Sequence, residues 1–138
     1  MSVNKAKYVT KINLKDCGLT NQEGISVITN INRSLVKELD LSGNSTLTSV
    51  FYEHLGEMTR DKSSVLERIE LEDNRVGDQI VLNLIECLID GGKIAYLNLN
   101  KNNITDVGAK SIANLIEKCP NLRLLFLHYN KILGMGGV

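Results

Sequence analysis

The chain has no tryptophan, one proline and two histidines, and its 16 lysines and arginines are cancelled by 16 aspartates and glutamates. Each shortage excludes something. Without a basic surplus there is no electrostatic footprint for nucleic acid, and there is no acidic tail, so any partner has to be sought in local patterns. No segment approaches the roughly 18 uninterrupted apolar residues of a membrane span, and the opening MSVNKAKYVTK lacks the apolar core of a signal peptide. A cytoplasmic protein without membrane contact is therefore expected. Cys17, Cys87 and Cys119 are odd in number and far apart, with no CxxC and no histidine at ligand spacing. That spacing argues for reduced thiols and against a disulfide framework or a zinc site.

The shortages extend to catalysis. His54 and His128 do not make a two-histidine site, and no nucleophile elbow or strained glycine turn supports a Ser-His-Asp arrangement. The tail Gly134-Met135-Gly136-Gly137 lacks the Lys-Ser/Thr and the helix that a phosphate loop needs. Glu70 and Glu72 share one face of a strand, as a glycosidase pair would, but with no histidine nearby they read as a solvated face. No catalytic residue, metal or cofactor is expected.

What the chain does have is internal repetition. The stretch IAYLNLNKNNI, residues 94–104, has apolar residues at its first, fourth, sixth and eleventh places and Asn102 at the ninth. The same LxxLxLxxNxL pattern recurs as LERIELEDNRV at 66–76, LRLLFLHYNKI at 122–132, and VTKINLKDCGL at 9–19 with Cys17 in place of the asparagine. A fifth copy, VKELDLSGN at 36–44, reaches its next leucine one residue late, at Leu47. The copies start near residues 9, 36, 66, 94 and 122, so the period is close to 28 and the 138 residues read as a single domain, 1–138.

Two periodicities explain each copy. Alternation such as Leu97 and Leu99 suits a short strand with one buried face, and the residues that follow have helical spacing. Helices are expected near 21–31, 49–59, 78–90 and 106–118. In the fourth, Val107, Ile112, Leu115, Ile116 and Cys119 form the apolar stripe, Thr105 or Asp106 is the N-cap, and Pro120 stops the helix. Asp90-Gly91-Gly92 closes the third helix. One strand and one helix cannot cover their own apolar faces, so the units must stack, strands in one parallel sheet and helices outside it. Where strand turns into loop, the backbone runs inside. Asn44, Asn74, Asn102 and Asn130 are expected to form a buried ladder there, each amide satisfying groups that would cost about 1–3 kcal/mol if left unpaired. Cys17 is the expected end member, a small apolar substitute.

The five copies resemble the leucine-rich repeat family over essentially the whole chain. The period, with Gly24, Gly108 and Gly136 six or seven residues after the ninth place, resembles the ribonuclease-inhibitor-like subclass. The resemblance implies an α/β, right-handed leucine-rich repeat solenoid, a horseshoe arc with a parallel concave sheet, convex α-helices and about five repeats, the last incomplete. It also implies a non-enzymatic role in binding a protein partner. A regulatory role of the GTPase-activating or actin-capping type is the second expectation, because such proteins occur in that subclass.

Repeat families generally bind through their concave face, which the third, fifth, seventh and eighth places line. The candidate partner-binding residues are Glu38 and Asp40 in the second repeat and Arg68, Glu70 and Glu72 in the third. The fourth contributes Tyr96, Asn98 and Asn100, and the fifth Leu124, Phe126, His128 and Tyr129. Across the sheet this surface grades from basic through acidic to aromatic. The acidic block should repel nucleic acid and favour a basic partner, and the aromatic residues are typical interface anchors. The last repeat stops at Val138 without a helix. That end is expected to be covered in a longer parent protein or by self-association, or else to be a terminus the fold tolerates.

Overall fold

The computed structural model describes residues 8–133, so Gly136 and the glycine-rich tail lie outside the described residues. Five strands alternate with four helices: β1 Lys11–Asn13, α1 Asn21–Thr29, β2 Glu38–Asp40, α2 Ser49–Arg60, β3 Arg68–Glu70, α3 Asp78–Gly91, β4 Tyr96–Asn98, α4 Asp106–Lys118 and β5 Leu124–Phe126. The strands form one parallel sheet in the order β1-β2-β3-β4-β5. Register is set place by place: Ile12, Leu39, Ile69, Leu97 and Leu125 lie side by side. This is the α/β repeat solenoid that the period implies, and each helix falls within two residues of its expected span.

The core lies between sheet and helices. Leu39, Leu41, Ile69, Leu71, Leu97 and Leu99, the fourth- and sixth-place residues of the middle repeats, are essentially inaccessible to solvent. Each such side chain contributes about 1.5–3 kcal/mol of burial. From the helices, Phe51, Leu55, Leu84, Ile85, Ile112 and Leu115 meet them. The apolar stripe of α4 is narrower than its composition suggests. Ile112, Leu115 and Cys119 are buried, whereas Val107 is 57% and Ile116 59% exposed. At about 100° per residue, those two sit roughly a quarter-turn to either side of the core-facing arc. Small residues let neighbouring helices approach: a Cβ on Gly91 would stand 2.1 Å from the backbone oxygen of Thr59, so α2 and α3 can only meet there at glycine. Gly92 ends α3 in the left-handed conformation, φ 72°.

The asparagine ladder is present and has a direction. Asn102 accepts hydrogen bonds from the N–H groups of Asn74 (3.0 Å) and Val76 (2.8 Å), both in the preceding repeat. Its amide donates to the carbonyls of Leu71 in that repeat and of Leu99 and Asn100 in its own. Asn44 does the same, accepting from Leu19 N–H and donating to Leu14, Leu41 and Ser42. Asn74 accepts from Asn44 N–H and donates to Leu41, and Asn130 accepts from Ile104 N–H and donates to Leu99, Leu127 and His128. Asn44, Asn74 and Asn102 are buried and Asn130 half-buried.

Cys17 departs from the expectation. It is exposed, and its thiol reaches only the carbonyl of Lys15, at 3.6 Å. The reason is the ladder's direction: the amide serves the repeat before it, and no strand precedes β1 among the described residues.

A second tie runs along the helix starts. Thr105 caps α4, and its N–H donates to Asp78 at the start of α3 at 2.8 Å; its hydroxyl donates to the same carboxylate, as does Gly108 N–H at 3.1 Å. Asn21 and Thr48 exchange equivalent bonds at the starts of α1 and α2, and Asp106 accepts from Leu133 N–H. Burial pushes the pKa of Asp78 up, but the bonds from Thr105 and Gly108 together outweigh it and hold the carboxyl below its ordinary value. A depressed folded-state pKa means stability that is present above the unfolded value of about 4 and lost as pH falls through the folded value. Asp78→Asn should therefore lower the denaturation midpoint at neutral pH, with the gap from wild type narrowing below about pH 4; urea titrations at a series of pH values measure it.

Candidate partner-binding face

Because the register is exact in place number, the sheet face turned away from the helices is a set of rows. The third-place row is Lys11, Glu38, Arg68, Tyr96, Leu124, and the fifth-place row is Asn13, Asp40, Glu70, Asn98, Phe126. Beyond the strand ends come the seventh place and then the eighth, where the chain turns toward the ladder. At the eighth place every repeat adopts the left-handed backbone, Asp16, Gly43, Asp73, Lys101 and Tyr129 having φ between 54° and 72°. For the four residues other than glycine that conformation costs roughly 1 kcal/mol each.

Charges on this face are mutually compensated. The Arg68 Nε lies 3.4 Å from Glu38 and 3.7 Å from Glu70, and Lys11 stands 4.0 Å from Glu38. Lys101 pairs with Glu72 at 3.8 Å, and the Asn98 amide donates to Glu72 at 3.2 Å. The expected acidic block is therefore largely neutralised within the sheet: neighbouring repeats supply a cation for Glu38 and for Glu72, and Glu70 is met by Arg68 of its own strand. Asp40 and Asp73 have no ion pair among the described residues, and Asp40 instead accepts from Ser42 N–H. Asn98 is buried and Asn100 half-buried; Asn98 accepts from Asn100 N–H, and Asn100 from His128 N–H. These two asparagines shape the face more than they project from it.

The aromatic end is the open part. The Arg68 guanidinium lies 3.6 Å over the Tyr96 ring, and Tyr96 packs against Phe126 with ring centroids 5.4 Å apart. The Tyr96 hydroxyl donates to Glu70 at 3.4 Å, and burial, followed by the Glu70 charge, raises the phenol's pKa. Beside this stack Leu124 is 50% exposed and Tyr129 80%. His128 is exposed, 6.5 Å from Tyr129. His54 is exposed on α2, on the helix side of the molecule, hydrogen-bonded to Val50. Among the described residues no cluster of histidine, cysteine, aspartate and glutamate could hold a metal ion.

A family model described as Leucine Rich repeat matches residues 93–113, the stretch that carries β4, Asn102 and the start of α4. The chain has the leucine-rich repeat fold. A solved tropomodulin C-terminal domain from Caenorhabditis elegans superimposes with a TM-score of 0.79 at 12% identity, over 99% of this chain and 83% of that one. A structure of leiomodin-1 actin-binding site 2 gives a TM-score of 0.70 at 21% identity, over 83% of this chain and 66% of that one. At those identities the likeness is one of fold. A search of curated proteins finds no match.

Lys11 and Lys101 occupy concave-face places in the sequence pattern but fall outside the candidate set; the structure makes them the cations beside Glu38 and Glu72. The signal existed. Places that align across repeats must lie side by side, so Lys11 and Arg68 had to flank Glu38. The Arg68–Tyr96 stack joins the charged and aromatic parts of the face, and a double-mutant cycle of Arg68→Ala with Tyr96→Leu should give a coupling of about 0.5–1 kcal/mol in chemical denaturation.

Proposed function

We propose that the leucine-rich repeat domain, residues 1–138, is a non-enzymatic interaction module of the ribonuclease-inhibitor-like subclass, binding a protein partner in the cytoplasm through the aromatic end of its concave face. The observation that carries this reading is Tyr129. It holds an aromatic ring 80% exposed on a backbone at φ 58°, beside half-exposed Leu124 and the Tyr96–Phe126 pair. The exposure is costly for the free chain and a partner covering the ring offsets it; the backbone conformation is the one every repeat adopts at this place and fixes the direction of the ring. An apolar centre with a compensated polar surround is also the anatomy of a protein interface. The carboxylates a hydrolase would need, Glu70 and Glu72, are engaged by Arg68, Tyr96, Asn98 and Lys101, which supports binding over catalysis. The subclass assignment rests on the repeat period and on four helices of 9 to 14 residues.

A second reading is that the partner is actin. Its support is the fold shared with the leiomodin-1 fragment described as an actin-binding site. Filament co-sedimentation, followed by an assay with monomeric actin, separates this reading from a different protein partner.

For the main reading, the double substitution Phe126→Ala with Tyr129→Ala should weaken partner capture about tenfold or more while the thermal midpoint stays near that of wild type. Quantitative affinity purification alongside differential scanning calorimetry measures both. Undiminished capture by the folded double variant would remove the concave face from the account.

A further inference from the structure

The second place of each repeat extends the sheet by one residue toward the strand starts. Lys37 N–H donates to Thr10, Glu67 to Lys37, Ala95 to Glu67 and Arg123 to Ala95, all at 2.8–2.9 Å. This edge therefore carries the row Lys37, Glu67, Ala95, Arg123, with neighbours about 4.8 Å apart. Ala95 is the one short side chain between Lys37 and Arg123. It leaves a notch across which the backbones of Glu67 and Arg123 stand roughly 10 Å apart, two strand spacings, and the two side chains form no ion pair among the described residues.

The notch opens into a groove of about 450 Å³ lined by Lys37, Glu67, Lys93, Ala95, Asn121 and Arg123. Three cations face one carboxylate there, in a chain whose net charge is zero. Lys93 is fixed in place, its ammonium donating to the carbonyls of Lys62 (2.5 Å) and Ser64 (2.6 Å), which orient it without cancelling its charge. Lys37 and Arg123 make no ion pair among the described residues. The carbonyls at the end of α3, which would also attract cations, are already met: Lys62 donates to Asp90 and Asn121 to Gly92. A second groove, of about 280 Å³, shares Glu67, Ala95 and Arg123 and continues onto the concave face past Tyr96 and Leu124.

We infer that this edge is a docking site for an acidic peptide segment, whose carboxylates meet Arg123, Lys37 and Lys93 and whose apolar side chain enters the Ala95 notch toward Leu124. Charge complementarity selects the occupant, and the shared wall of the two grooves gives it a path onto the concave face. The inference rests on the reading of the protein as a partner-binding module and adds the chemistry of one partner segment.

The test is a titration of the isotopically labelled chain, followed by amide shifts, with an acetylated octapeptide of glutamates carrying two leucines; the same peptide with lysine for glutamate is the control. Saturable shifts centred on Ala95 and Arg123 are expected, with no response to the lysine peptide and an apparent Kd at least about fivefold higher in Arg123→Glu and in Lys37→Glu. Both substitutions are at exposed positions and keep the fold. Absence of saturable shifts there, an equal response to the lysine peptide, or undiminished affinity in both variants would overturn the site. The Phe126→Ala, Tyr129→Ala variant separates the two readings. If it loses partner capture while the Ala95 edge is silent toward the acidic peptide, the edge fails alone; if the edge responds and capture is undiminished, the concave reading fails alone.

Discussion

Everything on the outside of this molecule depends on the hydrogen bonds that the ninth-place asparagines make inside it. A solenoid of this kind needs an irregular segment in each repeat to pass from strand to helix, and that segment is enclosed on both sides by its neighbours. Its amides and carbonyls are out of reach of water, and leaving several unpaired would offset a large part of a stability that is only about 5–15 kcal/mol in total. Asn44, Asn74 and Asn102 meet these groups with both ends of one side chain. The price of that solution is a fixed direction, since each asparagine completes the repeat before its own.

That fixed turn also positions the candidate partner face. The residue before the ladder is held one place away from the asparagine in the left-handed conformation, so its side chain leaves the sheet at a set angle in every repeat. In the third repeat this sends out Asp73, in the fourth Lys101, which turns back to Glu72, and in the fifth Tyr129, which remains largely in solvent. The same backbone device thus yields an ion pair in one repeat and an exposed aromatic anchor in the next. Chemistry on the face varies by substitution at aligned places, and the scaffold beneath does not change.

The fold was legible because repetition multiplies a weak signal. A three-residue strand such as Tyr96–Asn98 would not stand out alone, yet five aligned copies define its limits and its neighbours. The burial of Leu97, Leu99 and Asn102 and the Thr105 cap followed from the pattern. Three features did not. Cys17 looked like a ladder member because it occupies the ninth place, but the pattern cannot convey that the bonds point to the preceding repeat. Val107 and Ile116 looked like core because hydrophobicity alone does not distinguish the centre of a helical arc from its margins. The acidic block looked unbalanced because it was read down each strand; read across the rows, Arg68 falls between Glu38 and Tyr96 and cancels much of it. Interactions across the sheet, in which the candidate site consists, become visible only when repeats are laid side by side.

The directional ladder is tested most directly by native-state amide hydrogen exchange on Asn102→Ala. The N–H groups of Asn74 and Val76, which lie in the preceding repeat, should lose protection ahead of all others, with a global loss of about 2–4 kcal/mol. Ile104 N–H, served by Asn130, should keep its local protection relative to the global limit, and Cys17→Ala should exchange like wild type. Faster exchange that centres on Ile104 while Asn74 and Val76 remain protected, or an unchanged global stability, would contradict the account.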